Sequence, residues 1–181
     1  DDGGASVFAN CINQIHATLP KCKVEVLIPD FMGSTEALNI VLDASPDVLN
    51  HNIESTRNVF PLVRAKGDYD RSLNLLAASK LRYPSIPTKS GIIVGMGESA
   101  GDLLQTMRDL RNVDCDLLTI GQYLRPSRDH IPMDRYYTPE EFKDLEIQGK
   151  EMGFKHIASG PLVRSSYHAD EQHKSAMASA D

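Results

Sequence analysis

The chain has 181 residues, 41% of them hydrophobic and 24% charged, with a formal net charge of -6 at pH 7. That length suffices for one substantial core, and the acidic balance argues against a generic basic footprint for nucleic acid. No apolar run is long enough to cross a bilayer as a helix and no signal peptide opens the sequence, so neither a nucleic-acid nor a membrane partner is expected.

The chain begins at Asp1 without a methionine, which suggests a trimmed product or a portion of a longer protein. Cys11, Cys22 and Cys115 show neither CxxC nor CxxxC spacing, so they form no metal cage and a poor disulfide framework. They read as three buried or half-buried thiols in a reduced, intracellular setting.

Taken in order, Val7, Phe8, Cys11, Ile12, Ile15 and Leu19 recur at helical spacing until Pro20. Residues 24–29 read as a strand opening into Asp30, and a short helix follows over about 36–42. Residues 47–54 form the next strand candidate, ending in polar groups. Ser55 is placed to cap a helix burying Val59, Phe60 and Val63. A longer helix runs from Tyr69 to Arg82 with Leu73, Leu75, Leu76 and Leu81 on its face, and Pro84 and Pro87 bracket a loop.

Residues 88–98 read as a buried strand running into a glycine turn. Ser99 and Asp102 suit a capping box for a helix whose face is Leu103, Leu104, Met107, Leu110 and Val113. Another strand covers 116–121, followed by a polar, proline-broken loop over 122–132. Thr138, Pro139 and Glu141 mark a strong helix start; that helix buries Phe142, Leu145 and Met152 and stops at Gly153. His156 to Ala158 is a short last strand, and the polar, alanine-rich tail from Asp170 reads as frayed.

Strands alternating with helices predict an α/β fold with a parallel sheet, either doubly wound or a βα barrel. In both, polar groups at the carboxyl ends of strands mark the site. Those ends carry Asp30, residues 50–54, Lys89-Ser90 and Gln122-Tyr123.

Gly91-x-Ile93-x-Gly95-x-x-Glu98 can let a flat or phosphate-bearing ligand approach backbone amides, or can simply be a tight turn needing positive φ. It is neither a P-loop nor GxGxxG. His51-Asn52-x-Glu54 can hydrogen-bond a ribose diol or act as a capping loop. Serine hydrolysis at Ser165 or Ser166 with His168 is disfavoured, since no Gly-x-Ser-x-Gly elbow is present. Arg125, Arg128 and Arg164 can each hold a carboxylate or be solvated surface charges, and His130 and His156 read as structural.

The runs Val26-Leu27-Ile28-Pro29-Asp30-Phe31, Asn50-His51-Asn52-Ile53-Glu54, Thr88-Lys89-Ser90-Gly91, Val94-Gly95-Met96-Gly97-Glu98, Thr119-Ile120-Gly121-Gln122-Tyr123-Leu124 and Gly160-Pro161-Leu162-Val163-Arg164-Ser165-Ser166-Tyr167, in this order, resemble the lipoyl synthase family of radical SAM enzymes. The resemblance covers nearly the whole chain except its extreme tail. It implies a partial (β/α)6 TIM-like barrel, with residues 1–135 as the later part of the barrel and 136–181 as a helix and extension carrying Arg164-Ser165-Ser166-Tyr167.

It also implies a sulfurtransferase that inserts two sulfur atoms at C6 and C8 of a protein-bound octanoyl group. The family uses S-adenosyl-L-methionine and two 4Fe–4S clusters. One cluster cleaves the adenosyl cofactor to a radical, and the auxiliary one is the sulfur source. Both cysteine motifs, CxxxCxxC and CxxxxCxxxxxC, lie upstream of this sequence in the family, with the first barrel strands, so the chain alone is expected to be inactive and to expose a strand edge.

By the same resemblance Asn50 and Glu54 are ribose contacts, and Lys89, Gly91, Ile93, Gly95 and Glu98 belong to the cofactor site. Arg164 and Tyr167 face substrate, and Ser165, or else Ser166, ligates the auxiliary cluster. Arg125 departs from the family, which commonly has Gln before this proline. Implied partners are octanoylated carriers (the glycine cleavage H protein and lipoyl domains of 2-oxoacid dehydrogenases) and an electron donor such as ferredoxin or flavodoxin, in the cytoplasm or an organelle. The alternative from another class is a cofactor-free barrel-like domain that binds a lipoyl-carrier protein.

Overall fold

The structure is a computed structural model describing residues 2–178. Asp1 and residues 179–181, which close the two expected parts of the chain, lie outside the described residues. Twelve main elements alternate: α1 (Ala5–Thr18), β1 (Glu25–Leu27), α2 (Thr35–Asp43), β2 (Val48–Asn50), α3 (Phe60–Val63), α4 (Tyr69–Arg82), β3 (Thr88–Val94), α5 (Ala100–Asn112), β4 (Leu117–Gln122), α6 (Pro139–Glu151), β5 (His156–Gly160) and α7 (Ala169–Ala178).

Helices α2, α4, α5 and α6 begin where side chains satisfy the free amides of a first turn. Ser34 accepts from Ala37 and Asp68 from Arg71, while Ser99–Asp102 and Thr138–Glu141 close full capping boxes. Ser55 does not cap: its hydroxyl is buried, and the helix starts only at Phe60 and leaves Val63 half-exposed.

All five strands are parallel, in the order β1-β2-β3-β4-β5. A doubly wound sheet reverses its order at a switch point. No reversal occurs here, so this is the singly wound arrangement of a barrel segment, with one face toward the helices and one concave face. Alternation along each strand separates the two faces. Val26, Leu49, Ile92, Val94, Leu118, Ile120 and Ile157 pack outward with Leu42, Leu76, Met107, Leu110 and Phe142 in one buried cluster. Val48 and Leu117 face the other way and meet Ala176 of α7.

That last contact corrects the reading of a frayed tail. Residues from Ala169 are helical, and Gln172 and Ala176, one turn apart, are buried at 0% and 1% exposure. An interface of two positions among polar neighbours leaves almost no hydrophobic period to detect. Leu81 is also corrected: at 87% exposure it lies off the buried face of α4. So are two cysteines. Cys11 and Cys22 are exposed, whereas Cys115 is buried and its thiol is pushed up to about 12 by burial. Among the described residues, no helix is long and apolar enough to cross a membrane.

The amino ends of the strands are tied at Asp116, 4% exposed. It accepts from the Thr88 amide at 2.9 Å and pairs with Lys80 at 2.9 Å and Lys155 at 3.1 Å. Burial pushes its carboxyl up, but the bonds from Thr88 and Lys80 prevail and hold it below its ordinary value of 3.8. A depressed carboxylate contributes stability above its unfolded pKa and loses it as pH falls through the folded one. Asp116→Asn is therefore expected to cost about 2–3 kcal/mol at pH 7 and to flatten the loss of stability below about pH 4. Urea unfolding at pH 7 and pH 3 checks this; a variant whose acid loss parallels that of the unaltered chain contradicts it.

Candidate functional site at the concave face

The inward residues of the strands form three levels. In the deepest, Asn50 lies beside Lys89, and Lys89 beside Leu117. Lys89 is 0% exposed, with Nζ 3.0 Å from both Glu25 carboxylate oxygens. Asn50 donates to the same carboxylate at 2.9 Å, and its own Oδ1 has no partner. Burial pushes Lys89 below its ordinary pKa, and Glu25 opposes that shift. Asn50 and Lys89 thus form a closed polar floor.

One level up, Gly91 pairs with Thr119. A Cβ on Gly91 would lie 2.7 Å from Asn52 Oδ1 and 3.0 Å from Thr119 Oγ1. The missing side chain leaves bare backbone at the wall of a small cavity lined also by Glu54, Gly121 and Ser165. Asn52 Oδ1 is buried with no hydrogen-bond partner. Asn52, two residues from Glu54, faces this cavity; Asn50 lies in the floor. The period of two along a strand was the signal that would have favoured Asn52.

At the top, Glu54 has φ 68, and the bonds Glu54 N–H to Gly91 O and Ile93 N–H to Glu54 O, each 2.9 Å, hold it against β3. Its carboxyl is pushed up by burial, opposed by the Arg64 guanidinium 3.5 Å away and by Asn52. Glu54 and Ile93 also line a cleft of about 470 Å³ with Arg64, Met96, Tyr123 and the 129–131 stretch.

The glycine turn is partly self-contained. Gly95 and Gly97 have φ of 101° and 100°. The Glu98 carboxylate accepts from the Gly95 and Met96 amides at 2.6 and 2.9 Å. Glu98 therefore shapes the turn, while Gly91 and Ile93 face the cavity.

Segment 163–165 reaches the sheet because β4 has Gly121: a Cβ there would stand 2.3 Å from Val163 O. This brings Ser165 to the Gly91 cavity and leaves Ser166 exposed. Arg164 donates to Val163 O at 2.6 Å. Tyr167 lies apart, edge-on to the His168 ring with centroids 4.3 Å apart and lining a groove along β5. Arg125 spends its guanidinium on the carbonyls of Arg128 and His130, within its own loop. His51 is buried, bonded to Ile28 O at 2.9 Å and Ser72 Oγ at 3.0 Å on the helical side. Among the described residues no group of three or more His, Cys, Asp or Glu could hold a metal ion.

No protein-family profile matches the chain. Curated relatives do. A lipoyl synthase of Caldanaerobacter subterraneus subsp. tengcongensis is 57% identical over 169 residues, 93% of this chain and 59% of that protein. One of Rubrobacter xylanophilus is 55% identical over 94% of this chain and 53% of its own length. One of Bacillus cytotoxicus is 53% identical over 97% and 59% respectively. The chain thus spans a little over half the length of the curated relatives it matches. Among solved structures, methylornithine synthase superposes with a TM-score of 0.63 at 12% identity, covering 91% of this chain and 56% of that one. At that identity the likeness speaks for the fold alone, a partial α/β barrel.

Proposed function

The chain belongs to the lipoyl synthase family, and on that premise we propose that it forms the cofactor- and substrate-facing wall of an enzyme inserting two sulfur atoms at C6 and C8 of a protein-bound octanoyl group. The observation that carries this reading is the meeting of Asn52, Glu54, Gly91 and Ser165, from three separate stretches of sequence, around one cavity at the carboxyl ends of parallel strands.

The residues present suit an S-adenosyl ligand. Glu54 carries a half-buried carboxylate that can accept both hydrogens of a ribose diol, and Asn52 Oδ1 is a buried acceptor without a donor. Gly91 and Ile93 offer a flat wall. Asn50 and Lys89 support this wall from below rather than lining the cavity. Gly95 and Glu98 hold the turn beside it. For the iron–sulfur groups, the described residues supply no complete ligand set. Ser165 lines the cavity with Arg164 beside it, and this supports Ser165 as the residue that would give one oxygen to an auxiliary cluster. When bound, the clusters and the adenosyl cofactor supply the one-electron chemistry that activates an unreactive C–H bond.

The chain's own contribution is to bind, orient and exclude water. Octanoylated carrier proteins are the proposed substrates, with Tyr167 and Leu162 exposed at the groove along β5, and a ferredoxin or flavodoxin the proposed electron donor, in a reducing cytoplasm or organelle.

Calorimetric binding of S-adenosylhomocysteine and S-adenosylmethionine tests the reading without any cluster. Glu54→Gln is expected to weaken both by about 10- to 100-fold, the scale of a charge-assisted bidentate contact. Because the Glu54 pKa is raised above 4.5 by burial, affinity of the unaltered chain should fall as pH drops into mild acid, where the carboxylate takes up a proton. The Gln variant should lack that dependence. Failure of both ligands to bind the unaltered chain at millimolar concentration would overturn the proposal.

A further inference from the structure

Gln122 ends β4 and is 2% exposed. Its Nε2 faces three backbone carbonyls, Val94 O at 3.1 Å, Arg135 O at 3.0 Å and Tyr123 O at 3.2 Å. Its Oε1 accepts from the Tyr137 amide at 2.9 Å. A carboxamide donates to carbonyls at one end and accepts from an amide at the other, which a carboxylate cannot do. Around it, Tyr123 N–H donates to Val94 O and Asp134 N–H to Gly95 O, both at 2.8 Å. The segment leading into α6 is fixed in turn, with Arg135 over the Tyr137 ring at 3.7 Å and paired to Glu141 at 2.8 Å.

Residue 95 is glycine for the same reason. A Cβ there would come within 2.3 Å of Gln122 Nε2 and 2.5 Å of Arg135 O. The end of β3, the end of β4 and both roots of the 123–133 loop therefore meet on one side chain. That loop is bonded internally, Tyr123 to Ile131 O at 3.0 Å and Ser127 Oγ to His130 Nδ1 at 3.0 Å, in the manner of an Ω-loop. The two parts joined at Gln122 contribute facing walls of the 470 Å³ cleft, Met96 from the glycine turn and Tyr123, His130 and Ile131 from the loop.

We propose that Gln122 is a positioning residue: it touches no ligand, and its amide sets the spacing between the glycine turn and the 123–133 loop so that the cleft is preformed for the S-adenosyl cofactor. This rests on the cofactor reading above. A preformed cleft binds more tightly because the loop's ordering cost is met before the ligand arrives.

The test uses Gln122→Leu and Gln122→Glu, with Asp116→Asn as a variant destabilised far from the cleft. Measured are calorimetric affinity for S-adenosylhomocysteine, hydrogen exchange across residues 95–98 and 123–133, and the unfolding midpoint. Gln122→Leu should weaken binding by about tenfold or more, as expected for orphaned buried carbonyls, and speed exchange in both segments. Asp116→Asn should keep its affinity within about twofold despite a lower midpoint, since distant sites act independently.

Gln122→Glu keeps the acceptor for Tyr137 but turns a carboxylate toward carbonyls. Its affinity relative to the unaltered chain should recover as pH falls and the acid regains a donor. Equal binding by the unaltered chain and both Gln122 variants would overturn the inference alone, as would an equal loss in Asp116→Asn. No binding by the unaltered chain would overturn the cofactor reading and the inference with it.

Discussion

Lys89→Met lowers the stability of the chain by about 3–5 kcal/mol, because it leaves the Glu25 carboxylate beneath the sheet without its cation. The ion pair is fully out of solvent on the lysine side, with both Nζ–O distances at 3.0 Å and Glu25 only 18% exposed. Asn50 still donates to Glu25 in the variant, which keeps the cost from rising further. The pair does not itself add that much stability, since desolvating both ions offsets most of their attraction. Changing both partners, Glu25→Leu with Lys89→Met, should therefore recover most of the loss. Urea unfolding of the single and double variants decides the matter. A single variant within 1 kcal/mol of the parent (about a fivefold change in the equilibrium constant), or a double variant no better than the single, would contradict a buried pair that matters only when broken. The pair reaches from edge strand β1 across β2 to β3, so the level directly above it, where Gly91 and Thr119 lie, depends on it for position.

Gly91→Ala should abolish measurable S-adenosyl binding, a loss of about 100-fold or more, while costing about 1–3 kcal/mol of stability. Gly91 sits in ordinary extended backbone, so the effect comes from space. The added methyl would stand 2.7 Å from Asn52 Oδ1 and 3.0 Å from Thr119 Oγ1, inside the cavity those groups line. Gly91→Ala combined with Thr119→Ala removes one of the two crowding oxygens and should restore part of the binding. Calorimetry on both, beside circular dichroism to show that they fold, is the check. Unchanged affinity in Gly91→Ala would mean that the ligand does not approach this backbone.

Much of this architecture is legible in the chain because its signals are local. The capping boxes at Ser99 and Thr138 and the prolines at 20, 84 and 139 place element boundaries within a few residues of where they are found. The leucines of α4 and α5 repeat at helical spacing, since a helix must bury one stripe. Ser55 followed by apolar positions carries the local signal of a helix start, yet its hydroxyl is buried without a partner and the helix begins only at Phe60. The tail is not legible as a helix because only Gln172 and Ala176 are buried among the described side chains of α7, too few to set a hydrophobic period.

By itself the sequence determined the element order, the parallel α/β class, the family, and the stretches in which a site would lie. These depend on short-range periodicity and on residue runs, which are properties of neighbours along the chain. Only the tertiary structure decided which side chains of those stretches share a space. A one-residue step on a strand changes faces, so Asn52 and not Asn50 looks into the Gly91 cavity, and Lys89 is withdrawn into a floor with Glu25. Strand order and curvature, set by packing between elements far apart in sequence, carried Ser165 to Gly91 and left Ser166 and Tyr167 outside that cavity.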